Sequence, residues 1–194
     1  PNLGGNKCAM WMPPGGATTA PGVFGMSALT IAGTAVARSI LATNLITRMT
    51  RLGYVSLATA GQLAGAREAV AKFTTGAGGG LGGFFIRYRF GVSDAATVAG
   101  ARMFVGLRNI TSAPTNVEPT TLTQSIGIAQ LSSSNNLHIV YSNATVKTPI
   151  DLGSNFPASS TADAYELVLF APNVGGVYYQ VTRLNTPYTA QGFL

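Results

Sequence analysis

Gly-Gly-Phe-Phe-Ile-Arg-Tyr-Arg-Phe-Gly-Val (82–92) and Ala-Arg-Met-Phe-Val-Gly-Leu-Arg-Asn (101–109) both alternate with a period of two. In the first run Phe84, Ile86, Tyr88 and Phe90 share one face, and Phe85, Arg87 and Arg89 the other. In the second, Met103, Val105 and Leu107 share one face, opposed by Arg102, Phe104 and Arg108. Successive side chains on a strand point to opposite sides, so each run has a wholly apolar face and an apolar-plus-arginine face. The pair reads as two long central strands of a sheet packed over a core.

Outward from this pair the chain continues in the same idiom. Residues 1–21 hold Pro13-Pro14-Gly15-Gly16 and Pro21 around Met10-Trp11-Met12, which predicts an arm or linker ahead of one domain over 22–194. Strand patterns run through 22–40 and again through Asn44–Leu57, with Gly53 expected at a bend or bulge. Residues 58–65 read as a turn and 66–74 as a strand, because Gly61 and Gly65 each cost a helix about 1 kcal/mol. Ser93 is placed to cap a short turn before 101. A loop covers 111–120, with a helical turn after Pro119. Further strands are expected at Gln124–Gln130 and Leu137–Ser142, then a hairpin of Ala164–Ala171 with Val177–Asn185. About ten strands and no long helix predict an all-β, antiparallel β-sandwich.

Composition narrows the function classes. Charged residues are 9% of the 194, against about 25% in an ordinary soluble domain, while hydrophobic residues are 46%. That balance is the opposite of the disordered signature. No stretch of about 20 apolar residues offers a spanning helix, so membrane insertion is not expected. The chain shows no charged and then apolar opening of a secretory signal. Low charge suits a surface hidden in an oligomer, on an extracellular or virion protein. The net charge of +6 comes from scattered residues, mostly arginine, rather than a basic run. That fits an acidic partner such as an anionic polysaccharide better than nucleic acid.

Catalytic material is scarce. Cys8 is the one cysteine and His138 the one histidine, so neither a thiol cluster nor a histidine-rich metal site can be assembled. His138 reads as a strand-surface histidine. Of the six acids, Asp163 and Glu166 are nearest in sequence, yet three residues apart on a strand they face opposite ways. The glycines of 78–83 lack the lysine and the following helix of a phosphate loop. No catalytic residue, cofactor or metal is therefore assigned. The candidate ligand-binding residues are Arg87, Arg89, Arg102 and Arg108, side by side if the two strands pair, with Tyr178 and Tyr179 beside the 172–176 loop. Their types suit acidic or planar sugars, the alternative being arginines that snorkel over an oligomer contact or sheet surface and tyrosines that are structural.

Several phrases carry a family resemblance. Ala101-Arg-Met-Phe-Val-Gly-Leu, Asn116-Val-Glu-Pro-Thr-Thr-Leu, Ile126-Gly-Ile-Ala, Ile150-Asp-Leu-Gly-Ser-Asn-Phe-Pro-Ala, Ala164-Tyr-Glu-Leu-Val-Leu-Phe-Ala-Pro and Tyr179-Gln-Val-Thr-Arg-Leu-Asn resemble the distal, receptor-binding domains of tailed-bacteriophage tail fibres and tail spikes. The resemblance implies a jelly-roll or lectin-like sandwich, assembled as a homotrimer with other virion tail proteins. It implies a non-enzymatic domain on the phage tail, outside the cell, attaching to a bacterial surface polysaccharide, lipopolysaccharide or outer-membrane protein. The alternative is a purely structural virion domain making only assembly contacts.

Overall fold

The computed structural model describes residues 27–29, 33–56, 59, 61–67, 74–75, 82–92, 94, 98–110, 112, 114–159, 162–173 and 175–194. The arm over 1–21 with Trp11, and the turn at Ser93, lie outside them. The chain divides into two compact units. One is drawn from Cys8–Ala71 with Ile110–Val117, the other mainly from Lys72–Asn109 with Glu118–Leu194.

The smaller unit holds two antiparallel pairs. Strand β1 (Ser27–Leu29) pairs with β4 (Gly65–Arg67), and β2 (Gly33–Arg38) with β3 (Arg51–Ser56). Between β2 and β3, residues expected to be strand form a single helical turn, α1 (Leu45–Arg48). Asn44 is the reason: its Oδ1 accepts from Thr47 N–H while Thr47 Oγ1 accepts from Asn44 N–H, each at 3.0 Å. This reciprocal cap satisfies two orphan donors and overrides the alternation of the segment. Arg51 closes the other end by donating from Nη1 to the carbonyls of Thr47 and Met49. Gly53 is no bulge. It sits in register opposite Val36, and a Cβ there would come within 2.7 Å of Arg38 Nε.

The larger unit is the β-sandwich. Its first sheet, in the order β12-β11-β10-β5, is built from β5 (Phe84–Phe90), β10 (Tyr165–Ala171), β11 (Tyr178–Arg183) and β12 (Thr189–Phe193). The second, β6-β7-β8-β9, holds β6 (Met103–Arg108), β7 (Ser125–Gln130), β8 (Leu137–Ser142) and β9 (Ile150–Asp151). Every pairing is antiparallel. The two runs expected to be neighbouring central strands are β5 and β6, and they do not pair. Each is the edge strand of a different sheet, because the chain between them crosses to the opposite layer instead of turning back as a hairpin. The apolar faces are nevertheless the inward ones. Ile86, Tyr88 and Phe90 of β5 join Met103, Val105 and Leu107 of β6 around one core. Tyr165, Leu167, Leu169 and Val181 from the first sheet meet Ile128, Leu137 and Ile139 from the second, all without solvent exposure. Each such side chain contributes about 1.5–3 kcal/mol by leaving water.

Polar clamps set where strands begin. Asn185 Oδ1 accepts from Ala164 N–H at 2.7 Å, and its Nδ2 donates to the Ala162 carbonyl, fixing the start of β10. Beside it Arg183 Nη2 meets the buried Asp163 carboxylate at 2.8 Å while Nη1 donates to the Asn155 carbonyl. On the outer face of the second sheet, Gly106 and Gly127 stand opposite one another, and the Phe104 ring lies over Gly127. The hydroxyls of Ser125 and Ser142 both donate to the Leu122 carbonyl, so segment 118–124, with Pro119 buried in its 3-10 turn, is tied onto that face. The 3-10 turn at Pro119–Thr121 falls where a helical turn was expected.

A Cβ added at 127 would press first on the Val105 carbonyl oxygen and would stand 2.9 Å from both Gly106 Cα and the Phe104 ring. Gly127→Ala is expected to destabilise the sandwich by about 1–3 kcal/mol through overpacking, seen as a lower urea midpoint with an unchanged m-value.

Candidate functional site

The outer face of the first sheet is organised by register into three rows. Even-numbered residues of β10, β11 and the odd-numbered residues of β5 and β12 point away from the core. Pairing then aligns Phe85, Phe170, Tyr178 and Phe193 across all four strands. The next row is Arg87, Val168, Gln180 and Gln191, and the third is Arg89, Glu166, Thr182 and Thr189.

The aromatic row is solvent-facing. Phe85, Tyr178 and Phe193 are 55%, 50% and 58% exposed. Tyr178 stacks beside Phe170 with ring centroids 6.1 Å apart and planes 25° from parallel, and leans on Phe193 at 4.6 Å. Phe170, Tyr178 and Phe193, with Val168, Gln180 and Gln191, line a shallow groove running onto the second row. Phe193 is held in place from below: the Leu194 and Val177 backbones exchange both hydrogen bonds, and Gly176 leaves the room for the Phe193 ring. Rings fixed this way offer apolar faces at little entropic cost, with amide donors and acceptors alongside.

The predicted site residues divide. Arg87, Arg89 and Tyr178 fall on this one face. Arg89 Nε donates to Glu166 Oε2 at 2.7 Å, with Arg87 Nε at 3.8 Å from the same oxygen. Arg108 ends β6 in the second sheet and Arg102 immediately precedes that strand, so neither joins them, since β5 pairs with β10 and β6 with β7. Tyr179, next to Tyr178 on a strand, necessarily faces the other way: it is buried, and its ring packs over Gly192. Burial raises its hydroxyl pKa above the ordinary tyrosine value, with the neighbouring Tyr141 adding to the shift. Phe170, Phe193, Gln180 and Gln191 were missed. The signal was present in the hairpin, where outward Phe170 and outward Tyr178 flank one loop.

The groups weighed for catalysis are engaged elsewhere. His138 is buried, not surface-exposed as expected: it sits on the outer side of β8, where Nδ1 lies 3.0 Å from the Asn136 carbonyl and Nε2 4.0 Å from Asp151. The Asp151 carboxyl is held below its ordinary pKa, chiefly by the Gly153 N–H and then by the Asn136 amide and His138. Asp163 faces Arg183 and Glu166 faces Arg89, so the two acids nearest in sequence serve separate ion pairs. Among the described residues no three His, Cys, Asp or Glu side chains gather as for a metal ion. No helix there is long and apolar enough to cross a membrane. No family model, curated protein or solved structure matches the chain.

The two adjacent tyrosines make a direct check on the faces. Tyr179→Ala is expected to cost about 3–5 kcal/mol of stability by emptying a core position, and Tyr178→Ala about 1 kcal/mol through lost ring contacts. Paired urea titrations of the two variants measure the difference, and equal losses would contradict the assignment of faces.

Proposed function

We propose that this chain is a non-enzymatic recognition domain whose exposed aromatic row binds carbohydrate on a bacterial surface, as the receptor-binding part of a phage tail fibre. The observation that carries the binding role is the alignment of Phe85, Phe170, Tyr178 and Phe193 across an open sheet face, with Gln180 and Gln191 beside them. Pyranose rings present C–H faces that pack on aromatic faces, while their hydroxyls exchange hydrogen bonds with side-chain amides. A row of rings on a rigid sheet is suited to an extended chain of sugars more than to one enclosed small molecule. The virion setting, the trimeric assembly and the contacts with other tail proteins rest on the resemblance of phrases such as Ala164-Tyr-Glu-Leu-Val-Leu-Phe-Ala-Pro to tail-fibre domains.

Fluorescently labelled protein is expected to bind intact cells of a susceptible strain and to lose that binding when lipopolysaccharide is truncated. Tyr178→Ala and Phe193→Ala should each weaken cell binding by about tenfold or more while leaving the fold intact by circular dichroism. Binding to no strain of a broad panel, with the protein folded, would overturn the reading in favour of a purely structural virion domain.

A further inference from the structure

Resting on the carbohydrate reading of this face, we propose that its ligand is an acidic glycan and that Arg87 is the residue that receives the anionic substituent. The outer face carries three charged side chains, Arg87, Arg89 and Glu166, so one carboxylate stands against two guanidinium groups and one positive charge is left over. The geometry assigns that charge to Arg87. Glu166 Oε2 accepts from Arg89 Nε at 2.7 Å, a charge-assisted hydrogen bond, whereas Arg87 Nε is 3.8 Å away, beyond hydrogen-bonding distance. Among the described residues the Arg87 side chain makes this 3.8 Å ion pair and no hydrogen bond, and it is 57% exposed.

Arg87 lies two residues along β5 from Phe85, on the same face, and heads the row that continues through Val168 to Gln180 and Gln191. A sugar seated on the aromatic row therefore has amides beside it at the β11–β12 side and a guanidinium beside it at the β5 side. Guanidinium groups bind planar carboxylates and phosphates through two parallel N–H donors, which a neutral hydroxyl cannot match. Arg89 acts here as a positioning residue: by taking the hydrogen bond to Glu166 it leaves the Arg87 N–H donors open to a ligand, although both guanidinium groups share the field of that one carboxylate. The chemistry read is an oxyanion on a saccharide, either the carboxylate of a uronic-type sugar or a phosphate substituent.

The test is a glycan array bearing matched neutral, uronate-bearing and phosphorylated saccharides, probed with the wild-type chain, Arg87→Gln, Arg87→Lys and Tyr178→Ala. Acid-bearing members should outbind their neutral counterparts by about tenfold, with the preference shrinking as salt is raised. Arg87→Gln should abolish the preference while keeping the residual neutral binding, and Arg87→Lys should restore only part of it. The uronate and phosphate members separate the two sources of the oxyanion. Equal binding of neutral and acidic members, or a preference that survives Arg87→Gln, overturns this inference but leaves sugar stacking standing. Absence of binding to every member, with folded protein, overturns both.

Discussion

Strand β10 is the member on which both the core and the candidate site depend. It pairs with β5 on one side and β11 on the other, so its register decides what four strands place inside and outside. Tyr165, Leu167 and Leu169 are fully buried on its inner side, while Glu166, Val168 and Phe170 face out. A slip of one residue would expose the first set and bury Glu166, which makes the register energetically stiff. The Asn185 clamp on residues 162–164 and the Asp163–Arg183 ion pair fix it at one end. The aromatic row is thus a by-product of core burial: once the inner residues are seated, the outer rings align without further instruction.

The two sheets use their outer faces differently. On the second, Gly106 and Gly127 remove side chains from the centre, Phe104 folds over the gap, and segment 118–124 is hydrogen-bonded across through Leu122. Ala129 and Val140 are buried there as a result. On the first, large rings and long polar side chains stand out into solvent. An antiparallel sandwich tolerates either arrangement, because only the inner faces are needed for the core.

Much of this was legible in the alternation of residues. The inward sets of β5 and β6, the strand Leu137–Ser142, the hairpin around residues 172–177 and the turn at Pro119 follow from period-two spacing and turn chemistry. The partners of β5 and β6 were not legible, since pairing is decided by complementarity with strands far along the chain and not by anything within the runs themselves. Thr189–Phe193 was overlooked because Tyr188, Pro187 and Gly192 weaken its strand signal, and with it went Gln191 and Phe193. The one-turn helix at Leu45–Arg48 was hidden by alternation, although the Asn44 and Thr47 spacing that caps it stands in the sequence. For the site, the residue types were right more often than their neighbours. Tyr178 and Tyr179 had to diverge, and Arg102 and Arg108 were separated from Arg87 and Arg89 by a change of layer.

The span between β5 and β10 also has a cost in time. Arg89 and Glu166 lie 77 residues apart, so at a synthesis rate of roughly 5–20 residues per second the earlier strand waits about 4–15 seconds for its partner to be made. During that interval Phe-Phe-Ile-Arg-Tyr-Arg-Phe (84–90) is an aromatic, proline-free segment of the kind that self-associates through its backbone. Arg87 and Arg89 interrupt it at alternate positions, where like charges on two nascent copies repel. The two arginines, one of them matched by Glu166 only once β10 has been made, guard the unfinished chain against clumping, and replacing both with neutral residues would be felt first in the yield of soluble protein.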